Sequence, residues 1–110
     1  DQRFLLYVAR IIHEAFLQQN ALDPIDAYST PEKQVATLRV ILHGFDRGNE
    51  IIRLGAPSYR LQEEVAMWPD LVRAKAGVPN EDLERFDDLR RQMDEQMDAI
   101  RKDYVDESQG

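Results

Sequence analysis

The stretch that decides the fold is Phe4-Leu5-Leu6-Tyr7-Val8-Ala9-Arg10-Ile11-Ile12-His13-Glu14-Ala15-Phe16. Its apolar residues recur at spacings of three and four, which is the period of a helix with one face towards a core. Asn20 and the pair Asp23-Pro24 mark its end. The pattern therefore predicts a helix over residues 2–19. Its expected core face consists of Phe4, Leu5, Val8, Ile11, Ile12, Ala15 and Phe16.

A second long helix is predicted over residues 30–54. Thr30 suits the cap position and Pro31 suits the first helical position. Ser29 and Glu32 have the spacing of a capping box, so the alternative start lies one residue earlier. The expected apolar stripe of this helix consists of Val35, Leu38, Ile41, Leu42, Phe45, Ile51 and Ile52.

Glycines mark the interior and the end of this second helix. Gly44 and Gly48 lie one turn apart, a spacing that lets another helix approach closely. The alternative is a weak point in the helix. Gly55, two residues before Pro57, is typical of a helix C-terminus.

The middle of the chain is less regular. Ser58 is expected to cap a short helix that contains Leu61 and Val65. Pro69 is expected to interrupt the chain before another short helix over residues 70–76.

A long charged helix is predicted over residues 81–104, with Asn80 as its cap. We expect Met93 and Met97 to fill the core, the alternative being an adaptable groove for a partner. Trp68, at the junction of the middle helices, is expected to anchor the core. The apolar stripe of the last helix consists of Leu83, Phe86, Leu89, Met93, Met97, Ile100 and Tyr104.

Length and composition fit one small helical domain. The chain has 110 residues, of which 43% are hydrophobic and 32% charged, and it has no cysteine. Disulfides and thiolate chemistry are therefore excluded, and no apolar run is long enough to span a bilayer. We predict an intracellular, soluble, all-α domain over residues 1–110. Its expected form is a helical bundle of two long helices, a broken middle helical segment and a long charged C-terminal helix.

The formal net charge of −7 argues against binding to nucleic acids or to anionic membranes. Residues 79–110 contain 11 acidic and 5 basic residues, whereas residues 1–78 contain 10 and 9. The excess of acid therefore belongs to the last helix. This helix can face either solvent or a basic partner.

The sequence contains no recognisable catalytic or metal-binding pattern. His13 and His43 are the only histidines, and the first of them lacks the second histidine of a zinc-binding helix. Adjacent carboxylates such as Glu63 and Glu64 point to different faces of a helix. No phosphate-binding glycine loop is present. Taken alone, the chain is not expected to be an enzyme.

One stretch carries a pattern of residue types that is more specific than the helical spacing of its apolar residues. It has the sequence V-A-R-I-I-H-E-A-F-L-Q-Q-N-A-L over residues 8–22, followed by Asp23, Asp26, Tyr28 and Pro31-Glu32-Lys33-Gln34. This stretch resembles the C-terminal domain of the catalytic A subunit of archaeal and vacuolar-type rotary ATPases. There a helix ending V-A-R-I-I-R-E-x-F-L-Q-Q-N-A-F leads through D-x-x-D-x-Y-C-x-x-E-K-Q into a second long helix. The present chain departs from that pattern at His13, Leu22 and Ser29.

The resemblance implies a place in a larger machine. The domain would form the membrane-facing end of a protein in a hexameric ring, in the cytoplasm and peripheral to the membrane. ATP and Mg²⁺ would bind to the upstream nucleotide-binding domain, which is absent from these 110 residues, so this piece would hold no cofactor. Its expected partners are that upstream domain, the subunits of the central stalk and the non-catalytic B subunit.

The resemblance also assigns roles to the two ends of the first helix. Asp1, Gln2 and Arg3 would form the tail of the acidic turn that touches the rotating stalk, and would contact the stalk themselves. At the other end, Leu22 matches a position where an aromatic ring packs on adenine in related ATPases, and a leucine loses that stacking. The expected adenine pocket consists of Phe16, Gln19, Asn20, Ala21 and Leu22.

The resulting hypothesis is the coupling domain of a proton- or sodium-translocating ATPase, linking ATP hydrolysis or synthesis to rotation. A rigid helix of about 18 residues spans roughly 27 Å and can join the two ends. One alternative is a stand-alone acidic helical module for protein–protein interaction. Another is a regulatory homologue that has kept the fold without the catalytic part.

Overall fold

The computed structural model describes residues 2–17, 30–77 and 82–105. Within these ranges all regular structure is helical, which confirms the predicted all-α bundle with two long helices, a broken middle segment and a long charged last helix. A π-helical turn, His13–Leu17, continues the first helix directly. The α-helices are α1 (Gln2–Ile12), α2 (Pro31–Arg53), α3 (Ser58–Glu63), α4 (Met67–Gly77) and α5 (Glu84–Arg101).

One apolar core holds the helices of the described residues together. α2 packs along α1 and α5, and α3 and α4 close the remaining side. Trp68 is completely buried, and its Nε1–H donates a hydrogen bond of 2.9 Å to the carbonyl oxygen of Leu61. Met93 and Met97 are also completely buried. These positions confirm that Trp68 anchors the core and that the two methionines fill it.

The start of α2 follows from local chemistry. The Thr30 hydroxyl accepts a hydrogen bond of 3.2 Å from the backbone N–H of Lys33, and Pro31 is the first helical residue. This geometry selects Thr30 as the cap, so the alternative start one residue earlier is wrong.

The end of α2 is a Schellman motif. Gly55 has a φ of +122°, and its N–H donates to the carbonyl of Ile52 at 2.9 Å. The N–H of Ala56 donates to the carbonyl of Ile51 at 3.3 Å. The two bonds satisfy carbonyls of the last turn, as predicted from the glycine.

The two glycines inside α2 are buried against other helices. Phe4 of α1 covers Gly48, whereas Trp68 of α4 and Met93 of α5 cover Gly44. The expected close approach is therefore confirmed, and it is made by large side chains that use the space left by the missing β-carbons.

Three predictions for the middle segment are wrong. Pro69 is the third residue of α4 and does not interrupt it, because amide groups of the first turn have no acceptor within the helix. Ser58 is the first residue of α3 and not its cap, since Pro57 holds the cap position without a side-chain bond. Val65 lies between α3 and α4, although it is buried as a core residue.

Other corrections concern the apolar stripes and the last helix. Leu5, Val35 and Leu42 are exposed. Leu5 lies at the edge of the buried face of α1. Val35 and Leu42 lie on the side of α2 opposite the buried Gly44, so the predicted stripe of α2 is rotated away from its true core face. The last helix runs over Glu84–Arg101 and not over residues 81–104, and Asn80 and Glu81 lie outside the described residues. Leu83 holds its cap position and makes no capping hydrogen bond from its apolar side chain.

Candidate functional site

The candidate site is the helical segment formed by α1 and its π-helical turn. Its buried residues Phe4, Val8, Ile11 and Ala15 spread from the first turn to the last. Residues 2–17 span roughly 24 Å when helical. The segment is therefore held by the core along its whole length, and its two ends lie at a fixed separation.

Tyr7 adds a polar group to this segment. Its ring meets Trp68 edge-on, with 5.9 Å between the ring centroids. Burial raises the pKa of the Tyr7 hydroxyl above its ordinary value, and the carboxylate of Glu14 adds to this increase. The hydroxyl is therefore neutral at physiological pH, as suits a ring packed at the edge of a core.

At the N-terminal end of α1, the predicted stalk-contact residues Gln2 and Arg3 are exposed, while Asp1 lies outside the described residues. A shallow cleft of about 560 Å³, here called the Arg3–Tyr59 cleft, opens between α1 and α3. Leu6 is 69% exposed and Tyr59 is 55% exposed. This end of the bundle thus presents apolar side chains beside a guanidinium. The cleft is lined by Arg3, Leu6, Pro57, Ser58, Tyr59 and Gln62.

At the other end, Phe16 lies in the π-helical turn, half-buried and packed against the core. His13 begins the same turn and is exposed. No residue pattern in the sequence indicates a π-helix, a rare element that is frequent at functional sites. The other predicted adenine-pocket residues lie outside the described residues; they are Gln19, Asn20, Ala21 and Leu22.

Polar pairs join α2 to the acidic helix α5. His43 Nε2 lies 2.7 Å from Asp94 Oδ1, and Arg47 Nε lies 3.6 Å from the same oxygen. Arg47 also bonds to Asp98. The inner flank of the acidic helix therefore faces basic residues of its own chain. The sequence contains a signal for this contact: two basic residues, His43 and Arg47, and two acidic residues, Asp94 and Asp98, are each four positions apart.

A second polar cluster surrounds Arg60 of α3. Its Nε and Nη2 bind the two carboxylate oxygens of Glu64, at 2.7 and 3.0 Å. Its Nη1 lies 2.8 Å from Asp103 Oδ2 and donates to the Tyr104 hydroxyl at 3.1 Å. The hydrogen bonds from Arg60 lower the pKa of the Glu64 carboxyl, and the bonds to Glu64, Tyr104 and Asp103 raise the pKa of the Arg60 guanidinium. Reasoning from the sequence missed this cluster entirely.

The described part of the chain offers neither a metal cluster nor a membrane span. In residues 2–17, 30–77 and 82–105, the His, Asp and Glu side chains do not form a group of three that could hold a metal ion. None of the helices described in these ranges has the length and apolar content needed to cross a bilayer.

Residues 1–52 match the family model described as the C-terminal domain of V and A type ATP synthase. The chain is 36% identical over 101 residues to the A subunit of the A-type ATP synthase of Metallosphaera sedula, covering 92% of this chain and 17% of that protein. It is 37% identical over 99 residues to the corresponding protein of Ignicoccus hospitalis, covering 89% of this chain and 17% of that protein.

A third relative also matches through the acidic helix. The V-type ATP synthase alpha chain of Halothermothrix orenii is 33% identical over 104 residues, covering 94% of this chain and 18% of that protein. An alignment of that length necessarily includes α5. These matches confirm the resemblance found in the first third of the chain. They also show that the chain spans about a sixth of the length of the curated relatives it matches.

Proposed function

Because the chain belongs to the family of the C-terminal domain of V- and A-type ATP synthases, we propose that it couples the nucleotide site of an A subunit to the rotation of a central stalk. ATP and Mg²⁺ would bind in the remainder of that subunit. The transported ion would be a proton or a sodium ion. The whole protein would lie on the cytoplasmic side, peripheral to the membrane and beside the non-catalytic B subunit.

One observation carries this proposal. α1 and its π-helical turn form an uninterrupted helical segment, and buried residues from its first turn to its last pack in the core. Close-packed interiors transmit displacement because they deform little. A push on one end of the segment therefore moves the bundle as a rigid body, which is how domain motions commonly link distant sites.

The two ends of the segment have separate roles in this proposal. The end at Phe16, with the following residues up to Leu22, would contact the nucleotide-binding domain and the adenine base. The end at Asp1, Gln2 and Arg3 would contact the stalk. The exposed apolar side chains of the Arg3–Tyr59 cleft support a protein contact at this second end, since such side chains are common at interfaces.

Site-directed cross-linking tests the proposed contact with the stalk. The chain has no cysteine of its own, so Gln2→Cys introduces a single thiol into this domain at the stalk-facing end. In the assembled ATPase this variant should cross-link to a stalk protein. His13→Cys, exposed at the far end of the same segment, is the matched control and should not. Equal cross-linking from both positions, or none from Gln2→Cys, would contradict the proposal.

A further inference from the structure

The helix α3 has few internal interactions that could stabilise it. It contains six residues, fewer than an isolated helix needs to be stable. Pro57 holds its cap position without a side-chain bond, and its buried residues are only Ser58 and Leu61. Contacts with the rest of the bundle must therefore fix the orientation of α3; one of them is the hydrogen bond from Trp68 Nε1 to the Leu61 carbonyl, and a second is needed to fix its rotation.

Arg60 supplies interactions of this kind. Its side chain is only 18% exposed, and its guanidinium bonds to Glu64 at the end of α3 and to Asp103 and Tyr104 beyond the end of α5. The paired bonds to Glu64 have the fork geometry that holds an arginine in one orientation. Three bonded groups from two separate segments thus converge on one side chain.

The same cluster borders the end of α2. A β-carbon placed on Gly55 would lie 3.8 Å from Cδ1 of the Tyr104 ring, so this ring packs beside the turn that leads into α3. Ser58 and Tyr59, which immediately precede Arg60, line the Arg3–Tyr59 cleft. The orientation of α3 therefore determines the shape of the cleft.

We propose that Arg60 is a positioning residue that fixes α3, and with it the Arg3–Tyr59 cleft, to the segment that follows α5. Its consequence for energy coupling rests on the function proposed above. If Arg60 is lost, α3 keeps its buried Leu61 but loses its only described polar tie to residues 102–105. The stalk-facing end of the bundle then opens more often by local unfolding, while the rest of the core stays packed.

Hydrogen exchange in the full-length protein that carries this domain tests the proposal. Arg60→Met should raise amide exchange in α3 and in residues 102–105 by roughly tenfold, because charged hydrogen bonds are lost. Arg60→Lys should restore part of the protection, since it keeps the charge without the fork. Tyr104→Phe, which removes a single hydroxyl, should have a smaller effect in the same segments.

Arg91→Met is the matched control. Arg91 is exposed and pairs with Asp88 on the same helix, so its loss should leave exchange unchanged. Exchange in α3 that equals the wild type after Arg60→Met, or that rises equally in all helices, would overturn the positioning role.

The same variants separate this role from the proposed function. In the assembled ATPase, the number of ions transported per ATP hydrolysed should fall for Arg60→Met, recover partly for Arg60→Lys and stay at the wild-type value for Arg91→Met. Faster exchange in α3 with unchanged transport per ATP would support the positioning role of Arg60 and contradict the coupling function.

Discussion

Phe4 of α1 lies directly against Gly48 of α2: a β-carbon placed on Gly48 would overlap the Cζ and Cε2 atoms of the Phe4 ring. The ring is completely buried, stacks on Phe45 at a centroid distance of 5.6 Å and meets Trp68 edge-on at 6.0 Å. It therefore has nowhere to move. The absence of a side chain at Gly48 sets the distance between the two helices.

Overpacking a core usually costs about 1–3 kcal/mol, and the fixed Phe4 ring puts Gly48→Ala at the upper end of this range. Alanine returns about 1 kcal/mol in a helix interior, so the expected net destabilisation is about 2 kcal/mol. Unfolding in urea, followed by the fluorescence of the single Trp68, measures the change. Stability equal to or above that of the wild type would contradict this packing.

Gly44→Ala is the comparison for that experiment. A β-carbon there would lie 2.9 Å from both Met93 Cε and Trp68 Cη2. The methionine end can shift because its side chain is flexible, and the overlap with the Trp68 ring is smaller than the overlap of a Gly48 β-carbon with the Phe4 ring. We therefore expect a smaller loss than for Gly48→Ala, and the reverse order of the two variants would contradict this explanation.

Gly55→Ala is expected to destabilise the chain by about 1–3 kcal/mol for a different reason. The φ of +122° at this position is one that residues with a β-carbon rarely adopt. The nearest side-chain atom is 3.8 Å from the added carbon, so the cost is conformational and not a clash. Thermal unfolding checks this, and an unchanged midpoint would show that the turn tolerates a side chain.

The stability contributed by Glu64 should depend on pH. Hydrogen bonds from Arg60 lower the pKa of Glu64 in the folded chain. A carboxylate with a lowered pKa stabilises the fold above its unfolded pKa of about 4.3, and this contribution is lost as the pH falls through the folded value. Glu64→Gln should therefore unfold at a lower temperature than the wild type at pH 7, and the difference should shrink as the pH falls below about 4. A difference that stays constant over the whole range would refute the ion pair as its source.

Leu22→Phe tests the proposed nucleotide end. In the full-length protein it should tighten nucleotide binding several-fold, because an aromatic side chain can stack on a base and leucine cannot. Leu5→Phe makes the same substitution at an exposed site near the opposite end of the segment and should leave the affinity unchanged. Equal nucleotide affinities for Leu22→Phe and the wild type, by calorimetric titration, would argue against a base contact.

The features that can be predicted from the sequence depend on neighbouring residues. Thr30 and Gly55 delimit a helix through bonds to groups within five residues, so their roles are visible in a short window. The expectation for Pro69 is wrong because the effect of a proline depends on where α4 begins. That start is associated with the burial of Met67 and Trp68 in the core of the whole bundle.

The polar clusters could not be predicted in the same way. His43 and Asp94 are 51 positions apart in the chain, and the contact exists only because α2 packs along α5. The ion pair between Arg60 and Asp103 likewise joins residues that lie far apart in the sequence. For the candidate site, the resemblance points to the first helix, whereas the cleft beside Arg3 requires α3 to be in place.

The most direct test of the proposed coupling is to soften the middle of α1 without touching its buried face. Ala9→Gly with Arg10→Gly changes two exposed residues and costs about 1 kcal/mol of helix propensity at each. Glu95→Gly with Ala99→Gly, at exposed positions of α5, is the matched control. The measurement is the number of ions transported per ATP hydrolysed by the assembled enzyme. We expect the α1 variant to transport fewer ions per ATP while the α5 variant matches the wild type, and equal ratios for both variants would contradict the coupling role.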